Sequence, residues 1–523
     1  MERRLSEFFS QETASKAVLT ERTGDADPLI TGLQYDSRKV KPGNLFFALS
    51  GLHTDGSLYI EDAIAKGAAV IVFEKEIEKK NPDVVFLKVE NSRYAMSPIS
   101  SAFFDFPSRR LFVTGVTGTE GKSTTVYLIW QLLTLMGKKC GFFSTVQQCT
   151  GGDVVNNSEH QTTPEAPVVQ ELLREMADNG CEYAVVEASS HGLSKKTNRL
   201  GDVNFCCGIV TNVTHEHLEF HGTWEQYRDD KANLFRALDN FACPEARGDF
   251  EPFGVINADD KSARFFSQIA NCKKFLFSAE GRDADITIET IENSAWGNWY
   301  SAFVRASKED IEIRDKLPGA FNCGNVLAAM LTVSGLLGMP LREIEHYVVK
   351  LKPVRGRMTA IDKGQPFEVV VDYAHTPSSF MAIFPPLRTR LDKTNGKIIS
   401  LFGSPGERDT QKRAEQGKIA ALYSDFIVIT DEDPRGENSM DILEEIAGGV
   451  LQETGRLVFK REENLFLIAD RPQGIRKALS LAGKGDIVLL LGKGHENSII
   501  YADRTMPYDE ITEAEKALGE MGF

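Results

Sequence analysis

The chain of 523 residues lacks any apolar run long enough to span a bilayer, and its start, MERRLSEFFSQE, lacks the apolar core of a signal peptide. We therefore expect a cytoplasmic protein without membrane insertion. Positive charge is also scarce, since the net charge is −15. General nucleic-acid binders are normally basic, so nucleic acid is not an expected partner, whereas a small anionic substrate needs only local positive charge.

The cysteine pattern argues against both a disulfide framework and a zinc site. Eight cysteines are scattered along the chain without a CxxC pair. We expect buried free thiols in a reducing compartment rather than disulfides or a zinc site. The sequence also has no internal repeat and no low-complexity tract. Because 523 residues are too many for one core, three domains are expected.

The order of apolar segments places domain boundaries near residues 107 and 355. In residues 1–107, short strands at Leu45–Leu49 and Ala69–Phe73 flank a helix at Ile60–Lys66. Residues 108–355 alternate apolar strands with helical stretches, which predicts a parallel, doubly wound α/β sheet. Residues 356–523 repeat this alternation and predict a Rossmann-like α/β domain. Its four strands begin near Glu368, Ile398, Phe426 and Asp486.

One stretch, Leu111–Thr125, has the composition of a phosphate-binding loop. It reads LFVTGVTGTEGKSTT, a predicted strand with three glycines and a Lys-Ser pair, followed by a predicted helix at Val126–Leu135. Glycines let backbone N–H groups surround phosphate oxygens, while Lys122 can reach the β- and γ-phosphates and Ser123 can bind Mg²⁺. The match is a variant, because Val116 stands where the P-loop pattern has its first glycine. The alternative is a glycine turn with a chance lysine.

Polar clusters follow the neighbouring strands at their carboxyl ends, where ligands of parallel sheets collect. Glu187 and His217 follow two of these strands and could hold Mg²⁺ beside a phosphate. Histidine is a poor Mg²⁺ ligand, so the residues alone favour a surface or core histidine at position 217. Lys231, taken alone, is a solvated lysine on a helix.

The loops of the third domain carry mixed charges. Arginine suits carboxylates and acids suit amines, so a pocket for a zwitterionic ligand is one interpretation, and ordinary loop solvation is the other. The charged residues are Arg408, Glu432, Asp433, Arg435 and Glu496.

Nine segments together resemble the Mur ligases, and within them the UDP-N-acetylmuramoyl-tripeptide synthetases. They are TGVTGTEGKSTT, QTTPEA, EASSHGL, TNVTHEHLEFHGTWEQYRDDK, VINADD, GAFNCGN, GRM, VVVDYAHTP and GKGHE. The resemblance implies ATP-dependent peptide-bond formation in peptidoglycan precursor synthesis. A carboxylate of UDP-N-acetylmuramoyl-L-alanyl-D-glutamate takes the γ-phosphoryl group, and the amine of a diamino acid attacks the resulting acyl phosphate.

The resemblance also implies roles for individual residues. The implied nucleotide-binding residues are Gly118, Thr119, Gly121, Lys122, Ser123, Thr124, Asn325, Arg357 and Asp372. The implied metal ligands, for two Mg²⁺ ions, are Ser123, Glu187, His217 and Lys231, and the catalytic residues are Lys122, Glu187, His217 and Lys231. The implied contacts of the UDP-muramoyl peptide are Ser37, Thr162, Thr163, Ser189 and Arg199, and those of the amino acid are Arg408, Asp433, Arg435, Gly492 and Glu496.

These implied roles reverse the interpretation that the residues alone gave for His217 and Lys231. His217 becomes a metal ligand, and Lys231 becomes a lysine that CO₂ carbamylates, which converts a cation into an anion able to hold a metal. Other positions depart from the family pattern. The segment before Arg199 is longer, and the family's DNPR reads Glu432-Asp433-Pro434-Arg435. Meso-diaminopimelate, L-lysine and L-ornithine therefore all remain candidates for the added amino acid.

Two other functions were weighed against this one. A related amide ligase of the folylpolyglutamate synthetase type would share the phosphate loop, and a non-catalytic nucleotide-binding scaffold would not need the full residue set. We expect a monomer acting on small-molecule substrates. Because ATP and the amino acid are assigned to separate domains, we also expect domain closure about a hinge near Pro353–Arg357.

Overall fold

A computed structural model of the protein describes residues 1–50, 55–77, 81–157, 161–214, 218–243, 248–294, 297–453 and 457–523. The chain forms two compact units. Unit 1 comprises Met1–Thr290, Ser301–Ile313 and Gly324–Val348, and unit 2 comprises Ile291–Tyr300, Arg314–Cys323 and Val349–Phe523. Unit 1 thus contains the first predicted domain and most of the second, and the boundaries at 107 and 355 stay predictions.

The N-terminal part of unit 1 contains a five-stranded sheet. Its elements are β1 (Arg3–Arg4), α1 (Leu5–Phe8), α2 (Gln11–Lys16), β2 (Leu19–Thr23), β3 (Leu29–Ile30), β4 (Gly32–Gln34), a 3₁₀ turn (Ser37–Lys39), β5 (Asn44–Phe47), a 3₁₀ turn (Gly56–Tyr59), α3 (Ile60–Ala65), β6 (Val70–Phe73), β7 (Val85–Val89), α4 (Ser92–Phe103) and a 3₁₀ turn (Pro107–Arg110). The sheet order is β2-β7-β6-β5-β4, with only β2 antiparallel, while β1 pairs with β3.

The phosphate-loop strand lies inside an eleven-stranded sheet. The elements of this region are β8 (Phe112–Thr117), α5 (Lys122–Leu135), β9 (Cys140–Phe143), β10 (Gln147–Cys149), β11 (Val155–Asn156), α6 (Ala166–Asp178), β12 (Tyr183–Glu187), α7 (Ser190–Leu193), β13 (Phe205–Val210), α8 (Leu218–His221), α9 (Trp224–Leu238), β14 (Phe253–Asn257), α10 (Ala263–Ser267), β15 (Lys273–Ser278), β16 (Ile286–Ser294), β17 (Gly297–Val304), β18 (Glu309–Asp315), α11 (Phe321–Leu337) and α12 (Leu341–Val348). The sheet order is β11-β10-β9-β12-β8-β13-β14-β15-β16-β17-β18.

The strands from β9 to β16 in this order run parallel, which confirms the predicted α/β class. Strands β8, β12 and β13 are buried along their whole length, because a parallel sheet is covered on both faces and reads as continuous apolar runs. Their carboxyl ends therefore meet at one edge, where the polar clusters were predicted.

The first glycine of the predicted loop lies in the strand instead. Strand β8 extends to Thr117 and includes Gly115, where a Cβ would approach Leu234 Cδ1 to 2.5 Å. Gly115 thus permits close packing of α9 on the sheet. Val116, which replaces the expected P-loop glycine, is fully buried in the same strand. The phosphate loop proper therefore begins at Gly118.

Unit 2 is built on a second, six-stranded sheet. Its elements after residue 349 are β19 (Thr359–Ile361), β20 (Glu368–Asp372), α13 (Pro377–Leu391), β21 (Ile398–Phe402), α14 (Gln411–Tyr423), β22 (Phe426–Ile429), α15 (Ser439–Gln452), β23 (Leu465–Leu467), α16 (Arg471–Ser480), β24 (Ile487–Leu491), β25 (Ser498–Ile500), β26 (Thr505–Pro507) and α17 (Glu510–Glu520). The order is β19-β20-β24-β21-β22-β23, parallel except for β19, and β25 pairs with β26. All four predicted strands are present.

The segment predicted as a hinge is partly anchored in unit 2. Arg355 NH2 donates to both carboxylate oxygens of Asp509, at 2.9 and 2.8 Å. Gly356 packs so closely on the loop after β24 that a Cβ there would lie 2.3 Å from the carbonyl carbon of Gly494. Arg355 and Gly356 are thus tied to the rest of unit 2, and the hinge near Pro353–Arg357 stays a prediction.

The structure describes the state of the cysteines and the length of the apolar helices. All eight cysteines are free thiols, and six of them are buried. In the part of the chain that the structure describes, no helix is both long and apolar enough to cross a membrane.

Candidate active site

The loop after β8 requires glycine at two positions. Gly118 has φ +152°, and a Cβ there would lie 1.9 Å from Thr211 Oγ1. Gly121 has φ +82°, and a Cβ would lie 2.6 Å from Asn325 Oδ1. Helix α5 begins directly afterwards at Lys122, so the first N–H groups of the helix point toward the loop. Strand, tight loop and helix N-terminus together have the form of an anion cradle.

Lys122 and Ser123 lie at the start of α5, as the pattern predicts. The Lys122 ammonium donates to the carbonyl of Thr119 at 2.8 Å. The Ser123 hydroxyl donates to Glu187 Oε2 at 2.8 Å. Thr124, the next predicted nucleotide contact, lies on the first turn and is partly exposed. The structure thus brings the predicted Mg²⁺ hydroxyl and the predicted Mg²⁺ carboxylate into direct contact.

Glu187 is the last residue of β12 and is buried. Besides Ser123, the backbone N–H of Thr145 donates to Oε2 at 2.7 Å, and the Thr145 hydroxyl donates to Oε1 at 3.0 Å. These bonds fix the position of the Glu187 carboxylate at the edge of the phosphate loop. Thr145 is a supporting residue that the sequence alone did not reveal.

Lys231 lies on α9 and is 1% exposed, so the solvated-lysine interpretation is wrong. Its ammonium donates to the carbonyl of Gly118 at 2.7 Å and lies 4.2 Å from the ring centroid of Tyr227. The Tyr227 hydroxyl is 3.1 Å from Thr119 Oγ1. Helix α9 thus reaches the phosphate loop through two side chains.

The predicted contacts of the muramoyl peptide cluster beside Glu187. The Thr163 hydroxyl donates to the Glu187 carbonyl at 2.8 Å and lies 3.0 Å from Ser189 Oγ. Arg199 NH1 donates to the Thr163 carbonyl at 2.8 Å, so the longer segment before Arg199 still delivers it to this cluster. Glu165 Oε1 accepts from Arg199 Nη2 at 3.0 Å and from Nη1 of Arg93, on α4, at 2.7 Å.

Among the described residues, no side-chain contact joins the predicted substrate residues Ser37 and Thr162 to this cluster. Ser37 is buried in its 3₁₀ turn, where its carbonyl accepts from Lys66 at 3.0 Å. Thr162 is partly exposed beside Thr163. His217, the fourth predicted metal ligand, lies outside the described residues.

The remaining predicted nucleotide contacts are Asn325 in unit 1 and Arg357 and Asp372 in unit 2. Asn325, in unit 1, accepts from the Thr125 hydroxyl at 3.2 Å and closes against Gly121. In unit 2, Asp372 ends β20 and accepts from the backbone N–H groups of Met358 and Ala374, both at 2.7 Å. Burial raises the pKa of Asp372, although the positive charge of Arg357 opposes the shift. The Arg357 guanidinium lies 4.7 Å from the ring centroid of Tyr373.

The predicted amino-acid pocket contains a lysine that the prediction omitted. Lys493 is buried, and its ammonium donates to Asp433 Oδ1 at 2.9 Å and to Glu496 Oε2 at 2.5 Å. Burial lowers the pKa of Lys493, but the two carboxylates outweigh it and the net shift is upward. Lys493 belongs to the GKGHE segment, so the sequence marked its position as part of a family motif. The sequence did not show that its side chain points into the predicted pocket.

Glu432 is the acid of this group without a cationic hydrogen-bond partner. It is buried, its Oε2 has no hydrogen-bond partner among the described residues, and burial raises its pKa. A Cβ at Gly492 would lie 2.9 Å from that oxygen, so the glycine keeps the approach open. Arg435 has φ +54°, and its buried Nε has no hydrogen-bond partner among the described residues. Arg408 lies on an exposed loop.

Comparison with known proteins decides the family. The description "Mur ligase family, catalytic domain" matches residues 29–104, "Mur ligase middle domain" matches residues 116–333, and "Mur ligase, glutamate ligase domain" matches residues 356–494. A UDP-N-acetylmuramyl-tripeptide synthetase of Treponema denticola is 52% identical over 514 residues, with 95% of each chain covered. The chain belongs to the Mur ligase family.

Two further proteins are similar to this Mur ligase over nearly its whole length. A UDP-N-acetylmuramoyl-L-alanyl-D-glutamate–2,6-diaminopimelate ligase of Caldanaerobacter subterraneus is 35% identical, covering 97% of this chain and 98% of its own. A solved structure of a ligase with the same name has a TM-score of 0.62 at 26% identity, and the match covers 94% of this chain and 96% of that one. The Mur ligase fold predicted from the motifs is therefore confirmed.

Proposed function

We propose that this Mur ligase adds a diamino acid to UDP-N-acetylmuramoyl-L-alanyl-D-glutamate, using ATP and passing through an acyl phosphate. The observation that carries the proposal is the meeting of Ser123, Glu187 and Lys231 around one phosphate loop. The names of the 52% and 35% identical relatives support the choice of substrate. Meso-diaminopimelate, L-lysine and L-ornithine are the candidate amino acids.

The residues present fit a Mg²⁺ ion. A buried carboxylate and a hydroxyl at a helix N-terminus are oxygen donors of the kind that Mg²⁺ takes alongside phosphate oxygens and water. Ser123 and Glu187 would hold the ion, with His217 and carbamylated Lys231 as proposed further ligands. Bound there, Mg²⁺ would neutralise charge on the phosphates.

The chain's own groups would position the reacting phosphate and carboxylate. Lys122 would exchange the Thr119 carbonyl for a phosphate oxygen, and the N–H groups at the start of α5 would bind the same phosphates. Arg199, Thr163 and Ser189 would orient the muramoyl peptide so that its carboxylate faces the γ-phosphoryl group. In unit 2, Glu432 would hold an ammonium of the amino acid, and Arg435 would be available for a carboxylate.

The test measures ADP release. The protein is incubated with ATP, Mg²⁺ and the UDP-muramoyl dipeptide, together with each of the three diamino acids in turn. We expect ADP release that requires both the dipeptide and one amino acid, and mass spectrometry should find the tripeptide product. Lys122→Ala should abolish release, whereas Lys139→Ala, an exposed change in the loop between α5 and β9, should not.

Two results would contradict the proposal. One is an absence of ADP release with all three amino acids. The other is turnover with a folate and glutamate instead of the UDP-muramoyl dipeptide, which would support an amide ligase of the folylpolyglutamate synthetase type. A cytoplasmic location, a monomeric state and a requirement for CO₂ belong to the same proposal and stay predictions.

A further inference from the structure

Three buried side chains beside the phosphate loop form a hydrogen-bonded row that the proposed reaction does not use. His221, at the end of α8, lies between Asp230 of α9 and Ser190 of α7. Its Nδ1 is 2.7 Å from Asp230 Oδ2, and its Nε2 is 3.1 Å from Ser190 Oγ. The exposed fractions of His221, Asp230 and Ser190 are 4%, 3% and 2%.

The partners suit one tautomer of a neutral imidazole. An Nδ1–H of His221 that donates to Asp230 leaves Nε2 to accept from the Ser190 hydroxyl. The second carboxylate oxygen of Asp230 accepts from Gln226 Nε2 at 3.2 Å. The carboxylate is therefore held from two directions, and the imidazole is held at both nitrogens.

The order Ser-His-Asp is also that of a nucleophilic triad. A nucleophile must reach the carbonyl carbon of its substrate, and a serine that is 2% exposed within a packed row cannot do so. The three side chains therefore have the hydrogen-bonded order of a catalytic triad, but the serine is not accessible to a substrate. A role in holding other elements in place fits its burial.

The row joins the segments that carry the proposed catalytic residues. Ser190 follows Glu187 and Ser189 in the turn after β12, and Asp230 directly precedes Lys231 on α9. A second bond between the same two helices runs from Asn233 Nδ2 to the Leu193 carbonyl at 2.9 Å. Because successive residues of a helix point about 100° apart, fixing Asp230 also fixes the direction of Lys231.

We infer that Ser190, His221 and Asp230 are positioning residues that hold Lys231 at a constant distance from the Glu187 turn. The inference rests on the proposed function, in which both residues serve the same Mg²⁺–phosphate region. A loosened row would let α9 rotate or shift and would carry Lys231 away from the Gly118 carbonyl. Small displacements of this kind reduce the rate of a positioned reaction much more than they reduce substrate binding.

The experiment breaks the row at each of its bonds. Ser190→Ala removes only the bond to α7. His221→Asn keeps a donor near Asp230, and His221→Gln keeps a polar group near Ser190, so each retains half of the row. Ser100→Ala is the matched control, because Ser100 is equally buried on α4 and its hydroxyl has no hydrogen-bond partner among the described residues.

Two readouts separate positioning from folding. We expect kcat to fall at least about tenfold in all three row variants, with KM for ATP unchanged within about twofold, and we expect no change in Ser100→Ala. The second readout is the ¹³C NMR signal of a carbamate on Lys231 in ¹³C-bicarbonate, with Lys231→Ala as the blank. The bicarbonate concentration for half occupancy should rise at least about tenfold in the row variants, because the lysine is no longer held in place.

Several outcomes would overturn the inference. Row variants with the kcat and carbamate occupancy of the wild type would do so, and so would a loss of kcat that only follows the loss of folded protein in near-UV circular dichroism. Labelling of Ser190 by a serine-directed fluorophosphonate would show a nucleophile instead. Failure of the proposed function is distinguishable, since an inactive wild type would refute the ligase reaction while the carbamate signal would still report on the row.

Discussion

The ammonium of Lys493 lies 2.9 Å from Asp433 Oδ1, and the same oxygen accepts from the backbone N–H of Ile500 at 3.0 Å. The negative charge of Asp433 is therefore compensated within the chain. Asp433 stands where the family's DNPR segment has asparagine, and an unpaired acid at that position would favour a distal ammonium on the added amino acid. Because Asp433 is already paired with Lys493, that argument no longer holds. We expect Glu432 and Arg435 to select the added amino acid instead.

Asp433→Asn should leave the preferred amino acid unchanged. The amide oxygen can still accept from Lys493 and Ile500, but the buried ammonium loses one of its two anionic partners. We expect a destabilisation of about 1–3 kcal/mol, visible as a lower thermal midpoint. ADP release with each of the three diamino acids measures the preference. A switch of preference from one amino acid to another would show that Asp433 reads the substrate directly.

Glu432→Gln should weaken binding of the amino acid selectively. Oε2 of Glu432 is buried without a hydrogen-bond partner among the described residues, so an incoming ammonium would supply a charge-assisted bond that the amide cannot match. We expect KM for the amino acid to rise at least about tenfold, which is about 1.4 kcal/mol, with KM for ATP unchanged. Glu415→Gln, an exposed change on α14, is the control. Equal KM values in the two variants would contradict this role.

Lys231→Ala should reduce turnover by about 10²-fold or more, because an anion formed on Lys231 would be a preorganised electrostatic group. Wild-type activity should also fall when bicarbonate is removed and return when it is restored. Acetate added to the variant should recover part of the activity by supplying a carboxylate in the space of the lost side chain. Near-normal activity of Lys231→Ala without bicarbonate or acetate would refute carbamylation.

Asp315→Asn should flatten part of the pH dependence of stability. Burial raises the pKa of Asp315 from 3.8 to about 6, despite bonds from Asn298 and the Leu317 N–H. A raised acid pKa means that the folded state binds more protons, so the contribution of Asp315 to stability is fully present below its unfolded pKa of 3.8 and is lost as pH rises through about 6. The loss amounts to about 2–3 kcal/mol. Thermal midpoints from pH 4.5 to 7.5 should fall less in Asp315→Asn than in the exposed control Asp310→Asn. Parallel curves would contradict the assignment.

Amide hydrogen exchange should locate the flexible part of the linker before Arg355. The Gly356 N–H donates to Thr359 Oγ1 at 2.8 Å, and the Met358 N–H donates to Asp372 Oδ2 at 2.7 Å, so both amides should exchange slowly. Amides of residues 350–352 should exchange quickly. Arg355→Ala should accelerate exchange at Gly356 by loosening the Asp509 pair, with a small change in thermal midpoint, since a partly exposed ion pair contributes about 1 kcal/mol. Fast exchange at Met358 in the wild type would contradict this anchoring.

Most of the fold could be predicted from the apolar pattern. Strands of a covered parallel sheet are continuous apolar runs, and Tyr183–Glu187 and Ile398–Phe402 were recognisable on that ground. Residues that end such strands, such as Glu187 and Asp372, could be placed at a ligand-binding edge for the same reason. The ends of elements were harder to predict, because Gly115 reads as a loop glycine until α9 is seen packed against it.

The sequence by itself determined the α/β class, the phosphate loop and the family, because these depend on local periodicity and on long motifs. Only the tertiary structure decided which charges compensate one another. Lys493 neutralises Asp433 from 60 residues away, and His221 joins Ser190 to Asp230 across two helices. The physical reason is that burial and pairing depend on distances between segments remote in the chain. The same dependence explains why Lys231 looks like a solvated lysine until its family motif is recognised, whereas in the fold it is a buried amine on the phosphate loop.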